Sequence, residues 1–132
     1  MNGRLGSKFK GCYARDSLPN QLANGYYVLN LDNKNNPGTH WVGMLVSQCE
    51  MIYFDSFGFD CPVEILLRRG SRWLWYSSHE IQNVKSVACG YYVIYFLTEM
   101  AEGRDKNVIL LDFNNNGSLD NDKVLKNLLL HK

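Results

Sequence analysis

A chain of 132 residues is long enough for one domain and too short for two ordinary ones. An apolar share of 45%, with 13% aromatic, excludes a disordered chain. A formal net charge of +1 makes no strong electrostatic case for a nucleic-acid or anionic-membrane binder, and no apolar run approaches the length of a membrane span.

Residues 1–12 are polar and Gly-rich, which predicts a mobile arm or a strand laid on the surface. Residues 13–19 form one helical turn ended by Leu18-Pro19. Residues 26–31 are aromatic and β-branched after Gly25 and read as a strand. Asn, Pro and Gly crowd residues 32–39, so that stretch is a loop. Residues 40–47 and 51–54 are two further strands, joined through the turn 47–50 as a hairpin. Phe57 to Asp60 turns the chain. Pro62 starts a helix that runs to about Arg69 and is halted by Gly70. Residues 73–76 are a fourth strand and 80–82 a fifth. The longest periodic segment, 86–101, is apolar nearly all round and predicts a buried central helix ended at Gly103. Residues 106–113 read as extended. Asp120 and Asp122 cap a final amphipathic helix bearing Val124, Leu125, Leu128 and Leu129. The layout is α+β: a single domain, 1–132, with a mostly antiparallel sheet packed against a buried central helix.

Cys12, Cys49, Cys61 and Cys89 show no C-x-x-C spacing, and His40, His79 and His131 do not fall near them in ligand patterns, so no metal site is expected. The opening Met1-Asn2-Gly3-Arg4-Leu5-Gly6 has no apolar signal-peptide stretch, so the expected setting is intracellular, not secreted, with mostly free thiols. Cys12, Cys49 and Cys61 then read as small, partly buried apolar residues. Arg68, Arg69 and Arg72 form the one basic cluster and read as a solvated helix face. Asp112, Asn114, Asn116 and Gly117 imitate the start of a calcium loop. Position twelve of that loop is Lys123, where a bidentate Glu is needed.

One set of residues carries chemistry. Cys89 enters the buried helix at its N-terminus, where partial positive charge favours a thiolate. His40 at a strand start can take the thiol proton. In the hairpin, position 40 falls roughly opposite position 56, which places Asp55 near His40 to hold the imidazole tautomer. Asp60 is a weaker rival for that role. Gln82, seven residues before Cys89, can bring its amide and the Cys89 backbone N–H onto one oxygen; Asn83 is the alternative donor. Trp41 is a candidate wall of the substrate cleft, and Gly90 leaves room beside the nucleophile. Taken alone, each of these has an ordinary structural explanation, as a core cysteine, a turn aspartate or a surface glutamine; together they point to thiol catalysis. His79, Glu80 and His131 are expected at the surface.

His40-Trp41, then Asp55-Ser56-Phe57-Gly58, Gln82 and Cys89-Gly90 resemble the superfamily of the adenovirus maturation protease (adenain) and the SUMO proteases, including predicted proteases of virophages and related viruses. The resemblance runs from about Gly38 to Leu97, with a weaker echo over residues 11–19. The order His, Asp, Gln, Cys is specific, since papain-like enzymes run Gln, Cys, His. The spacing from Gln82 to Cys89 is closer to the viral branch. Asp at position 55, where the adenovirus enzyme has Glu, is shared with the SUMO proteases. The resemblance implies an adenain-like fold and a cysteine endopeptidase that matures capsid and other virion precursors at Gly-containing sites. It implies action in the infected host cell and the virion. No cofactor is needed for the chemistry. The adenovirus enzyme is activated by DNA and a small peptide, and this shorter, nearly neutral chain departs from it there. The expected partners are viral precursor polypeptides, with no membrane, weak support for nucleic acid, and a monomeric enzyme. A SUMO or ubiquitin-like-protein isopeptidase is the first alternative, and a catalytically idle binding module the second.

Overall fold

The computed structural model describes residues 8–31, 40–83, 86, 88–113 and 120–130. The sequence expectations for the arm before residue 8, the loop 32–39, the Asn114–Asn116 turn and His131 lie outside those residues.

Among the described residues five strands form one sheet: β1 (Phe9–Ala14), β2 (Gly25–Asn30), β3 (Trp41–Val46), β4 (Glu50–Phe54) and β5 (Trp73–Tyr76). Their spatial order is their chain order. The inner pairs β2–β3 and β3–β4 are antiparallel, whereas the outer pairs β1–β2 and β4–β5 are parallel. The sheet is therefore mixed and not mostly antiparallel. The physical reason is connection length. The tight turn closed by Ser47 N–H to the Glu50 carbonyl (2.9 Å) enforces an antiparallel hairpin. Longer connections allow the outer strands to return in parallel, and nothing local in the sequence marks that choice.

Four helices complete the described elements: α1 (Val63–Leu66), α2 (Cys89–Ala101), α3 (Lys106–Leu110) and α4 (Asp120–Leu130). Several boundaries differ from the sequence expectation. The surface arm delivers edge strand β1, and after Ala14 comes a single hydrogen-bonded turn, Ser17 N–H to the Ala14 carbonyl. Helix α1 ends before Arg69. Residues 80–82 join no strand; the N–H groups of Ile81 and Gln82 both donate to the Ser56 carbonyl (3.1 and 2.9 Å), an anchor on one atom and not a ladder. Residues 106–110, expected to be extended, are helical. Asp105 caps them by accepting the Asn107 N–H (2.9 Å), a local signal that outweighs the β-branched and apolar character of Val108-Ile109.

The sheet is buried on both faces. On one side Tyr26, Val28, Ile52 and Phe54 pack against Tyr92, Val93, Phe96 and Leu97 of α2, with Leu125 of α4 behind. On the other, Tyr27, Leu29, Val42, Met44, Met51 and Tyr53 are covered by Leu18, Leu22 and Ile65 of α1. Two-residue periodicity sends alternate side chains into the two cores, which is why β2 is buried throughout. Gly43 brings β3 close to α2: a Cβ there would stand 3.0 Å from Val93 Cγ1 and 3.3 Å from Leu97 Cγ. Arg68 and Arg72, expected as a solvated face, instead tie this second layer down. Arg68 donates to the Leu18 carbonyl (3.2 Å), and Arg72 to those of Ser47 (2.7 Å) and Leu22 (3.2 Å).

Candidate active site

His40 and Cys89 approach each other because β3 lies against α2. His40 immediately precedes β3, and its carbonyl still accepts the Leu31 N–H (3.0 Å), so the backbone is held where the side chain leaves the sheet. Asp55 follows β4 directly. In the β3–β4 register Gly43 faces Phe54 and Met44 faces Tyr53. Continued outward, that register sets His40 across from Phe57, with Asp55 diagonal to it. Accordingly, the His40 and Phe57 rings stack at 4.5 Å and 24°, and His40 Nε2 meets Asp55 Oδ1 at 2.8 Å. Asp55 is fully buried, and the same Oδ1 accepts the Phe57 N–H at 2.8 Å. Its Oδ2 is buried and makes no hydrogen bond among the described residues. Gly58 allows the turn that places Phe57: its φ is +79°, and a Cβ would lie 2.8 Å from the His79 carbonyl oxygen.

Asp55 thereby fixes the imidazole. Its carboxylate holds a proton on Nε2, which leaves the buried Nδ1, with no other partner among the described residues, for the thiol. Cys89 is the first residue of α2 after Ala88 and is buried. The Trp41 N–H points at its Sγ (3.4 Å). Burial raises the thiol's pKa; the His40 imidazole, the Trp41 and Gly90 N–H groups and the His40 charge together lower it, and the lowering prevails. For His40, burial disfavours the imidazolium. The Asp55 hydrogen bond, the Cys89 sulfur and the Asp55 charge outweigh it and push the pKa from 6.5 up to about 9. Both shifts favour a thiolate–imidazolium pair at neutral pH.

Trp41, Cys89, Gly90, Tyr91 and Ile94 line an open cleft of about 380 Å³. Trp41 Cδ1 would be 3.9 Å from a Cβ on Gly90, so the indole stands over the helix turn that carries the thiol. Tyr91 is 61% exposed, so α2 is not buried all round: its first turn opens on the cleft. Beyond Tyr91 lies an apolar groove of about 320 Å³ between α2 and α4, lined by Ala88, Leu125, Leu129 and Leu130 among others.

Gln82 is a fully buried side chain, not a surface one. The Ser56 hydroxyl donates to its Oε1, and its Nε2 donates to the Ser86 carbonyl (3.2 Å) and hydroxyl (3.3 Å). The amide nitrogen thus faces the segment leading into α2 and is held there by Ser86. Asn83, beside it, is half-buried, and its carbonyl accepts the Ser86 N–H (2.8 Å). His79 is half-buried and Glu80 exposed. Ser56 and Phe57 belong to the motif that follows Asp55, but the sequence assigns them no role, and nothing in it points to Ser86.

Among the described residues no group of three or more His, Cys, Asp or Glu side chains could hold a metal ion. Asp112, the first residue of the imitation calcium loop, instead binds the Arg104 guanidinium at 2.8 and 3.1 Å. The four cysteines are free; Cys12, in edge strand β1, and Cys49, in the turn between β3 and β4, are exposed, not partly buried as expected. No helix of the described residues is long and apolar enough to cross a membrane.

No family model matches the chain, and no curated protein matches it. Two crystal structures of the ASFV pS273R protease, one of them the selenomethionine form, are similar to it, each with a TM-score of 0.52 and 16% identity. They cover 76% and 83% of this chain, and 41% and 42% of that protease. The chain thus spans about two-fifths of the length of the protein it matches. At that identity the likeness is one of fold: the five-stranded mixed sheet and its helices are arranged as in part of a viral protease.

Proposed function

We propose that this protein is a cysteine endopeptidase that cleaves virion precursor polypeptides at Gly-containing sites. One observation carries the reading: an imidazole bonded to a buried carboxylate stands beside a thiol of lowered pKa at the tip of α2. In this mechanism the Cys89 thiolate attacks the scissile carbonyl. His40 gives its proton to the leaving amine, then activates the water that releases the acyl group, and Asp55 keeps the ring oriented throughout. Gln82 and the Cys89 N–H receive the oxyanion. The Gln82 bonds to Ser86, at 3.2 and 3.3 Å, are long for N–H to oxygen, so a developing negative charge can compete for the amide.

Support for a polypeptide substrate comes from the open cleft and the groove continuing past Tyr91. Support for glycine near the scissile bond comes from Trp41 over Gly90, which leaves little height for a side chain. The adenovirus-protease and virophage affinity rests on the motif residues alone; the likeness to the ASFV pS273R protease supports a viral cysteine-protease fold and not that narrower link. Action in the infected cell and the virion, by a single monomeric domain with no obligatory cofactor, completes the proposal.

The test compares wild type with Cys89→Ala on Gly-containing precursor peptides and on an intact ubiquitin-like modifier precursor. Peptide cleavage lost in the variant supports the reading. Cleavage of the modifier alone favours the isopeptidase, and cleavage that survives in Cys89→Ala refutes both.

A further inference from the structure

Behind the proposed oxyanion donor lies a polar chain that reaches the C-terminal helix. The Ser86 hydroxyl has three partners: Asp122 Oδ2 on α4 at 2.7 Å, Gln82 Nε2 at 3.3 Å and the Ala88 N–H at 3.1 Å. A hydroxyl has one proton and two lone pairs. The carboxylate can only accept, so the proton must go to Asp122, and both lone pairs are left for the Gln82 amide and the Ala88 N–H. Asp122 is itself held by the Tyr92 hydroxyl of α2 at 2.6 Å. At the other end of the amide, the buried Ser56 hydroxyl donates to Gln82 Oε1; the Ser86 carbonyl, which can only accept, settles which end of the carboxamide is nitrogen. Ala88 directly precedes the nucleophile. One hydroxyl therefore fixes the Gln82 amide and the start of the helix carrying Cys89 relative to each other.

We propose that Ser86, oriented by Asp122, is the positioning residue of the oxyanion site, so that α4 sets turnover through Ser86. This rests on the peptidase reading above. Full-length protein is assayed on one cleavable peptide for kcat and KM, and separately for Cys89 alkylation by iodoacetamide, which needs no oxyanion donor. In Ser86→Ala, kcat should fall about 10- to 100-fold, less than the full loss of a donor, with KM and alkylation nearly unchanged. Ser86→Thr, which keeps the hydroxyl, should recover most of the loss. On a Gln82→Ala background Ser86→Ala should cost almost nothing further, because the two act as one unit. If Ser86→Ala does not fold, Asp122→Asn, which keeps the shape but weakens the acceptor, is read through the same cycle. Unchanged kcat overturns the assignment. So does a fall in alkylation that parallels kcat, or a full effect persisting without Gln82. A wild type that alkylates normally yet cleaves no polypeptide overturns the peptidase reading and this assignment with it; intact turnover in Ser86→Ala overturns this assignment alone.

Discussion

Asp55→Asn is the sharpest perturbation of the site, because it removes a charge and leaves the shape. In the native protein the rise of His40 from 6.5 to about 9 favours its imidazolium by about 3 kcal/mol, at about 1.4 kcal/mol for each tenfold change in proton affinity. With the carboxylate charge gone, burial pulls the imidazole back toward or below its ordinary value, and the Cys89 thiolate loses the cation that holds it. The variant also places an amide where the buried Oδ2 makes no hydrogen bond, a separate, pH-independent cost of about 1–3 kcal/mol if its N–H groups go unpaired. Iodoacetamide alkylation followed across pH reads the thiolate directly. Wild type should alkylate on an acid-shifted plateau, with a second rise near pH 9 as the imidazolium deprotonates; the variant should show a single rise near the ordinary thiol value. Peptide turnover should fall by about 100-fold or more. Thermal stability carries the opposite signature. The His40 pKa is raised by folding, so its contribution is complete below 6.5 and is lost as pH passes about 9. The Cys89 pKa is lowered, so its contribution is lost on the acid side. The stability gap between wild type and variant should be wide near neutrality and close above pH 9 to the constant offset. A constant offset at every pH, with superimposable alkylation profiles, would refute the ion-pair reasoning.

The other predictions bear on the donor, the cleft and the core. Gln82→Ala should lower kcat about 100- to 1000-fold with KM little changed; a change mainly in KM would remove it from the oxyanion role. In wild type, kcat/KM against pH should be bell-shaped, with its alkaline limb near 9 as the imidazolium is lost; a profile rising through that limb would show that His40 is not the acid. Gly90→Ala should fold normally, since its Cβ meets Trp41 at an ordinary 3.9 Å, yet raise KM for Gly-containing peptides by narrowing the cleft. Gly43→Ala should cost about 1–3 kcal/mol in denaturant unfolding, because Val93 and Leu97 must give way.

Much of this architecture was readable before any coordinates, and the limits of that reading are physical. The hairpin of β3 and β4 is local: a turn at 47–50 and two-residue alternation set its register, and from it the nearness of Asp55 to His40 followed. Helix α2 announced itself by periodicity and α4 by acidic residues ahead of an apolar stripe. The parallel outer strands are not legible in the sequence, because strand direction across a long connection leaves no mark in composition. Helix α3 departs from the extended expectation because the Asp105 cap outweighs the strand-like run Val108-Ile109-Leu110-Leu111.

Residue chemistry alone named the thiol, imidazole, carboxylate and carboxamide. Tertiary structure decided their protonation and aim. The Cys89 sulfur meets the Trp41 N–H, and the imidazole of His40 just before it, only because β3 packs on α2, more than forty positions apart in the chain. Burial and neighbouring charge, not residue type, shift their proton affinities. The orientation of Gln82 depends on Ser56 after β4, Ser86 before α2 and Asp122 on α4. A hydrogen bond needs its partner within about 3 Å, and for groups so distant in sequence only the folded chain supplies that nearness.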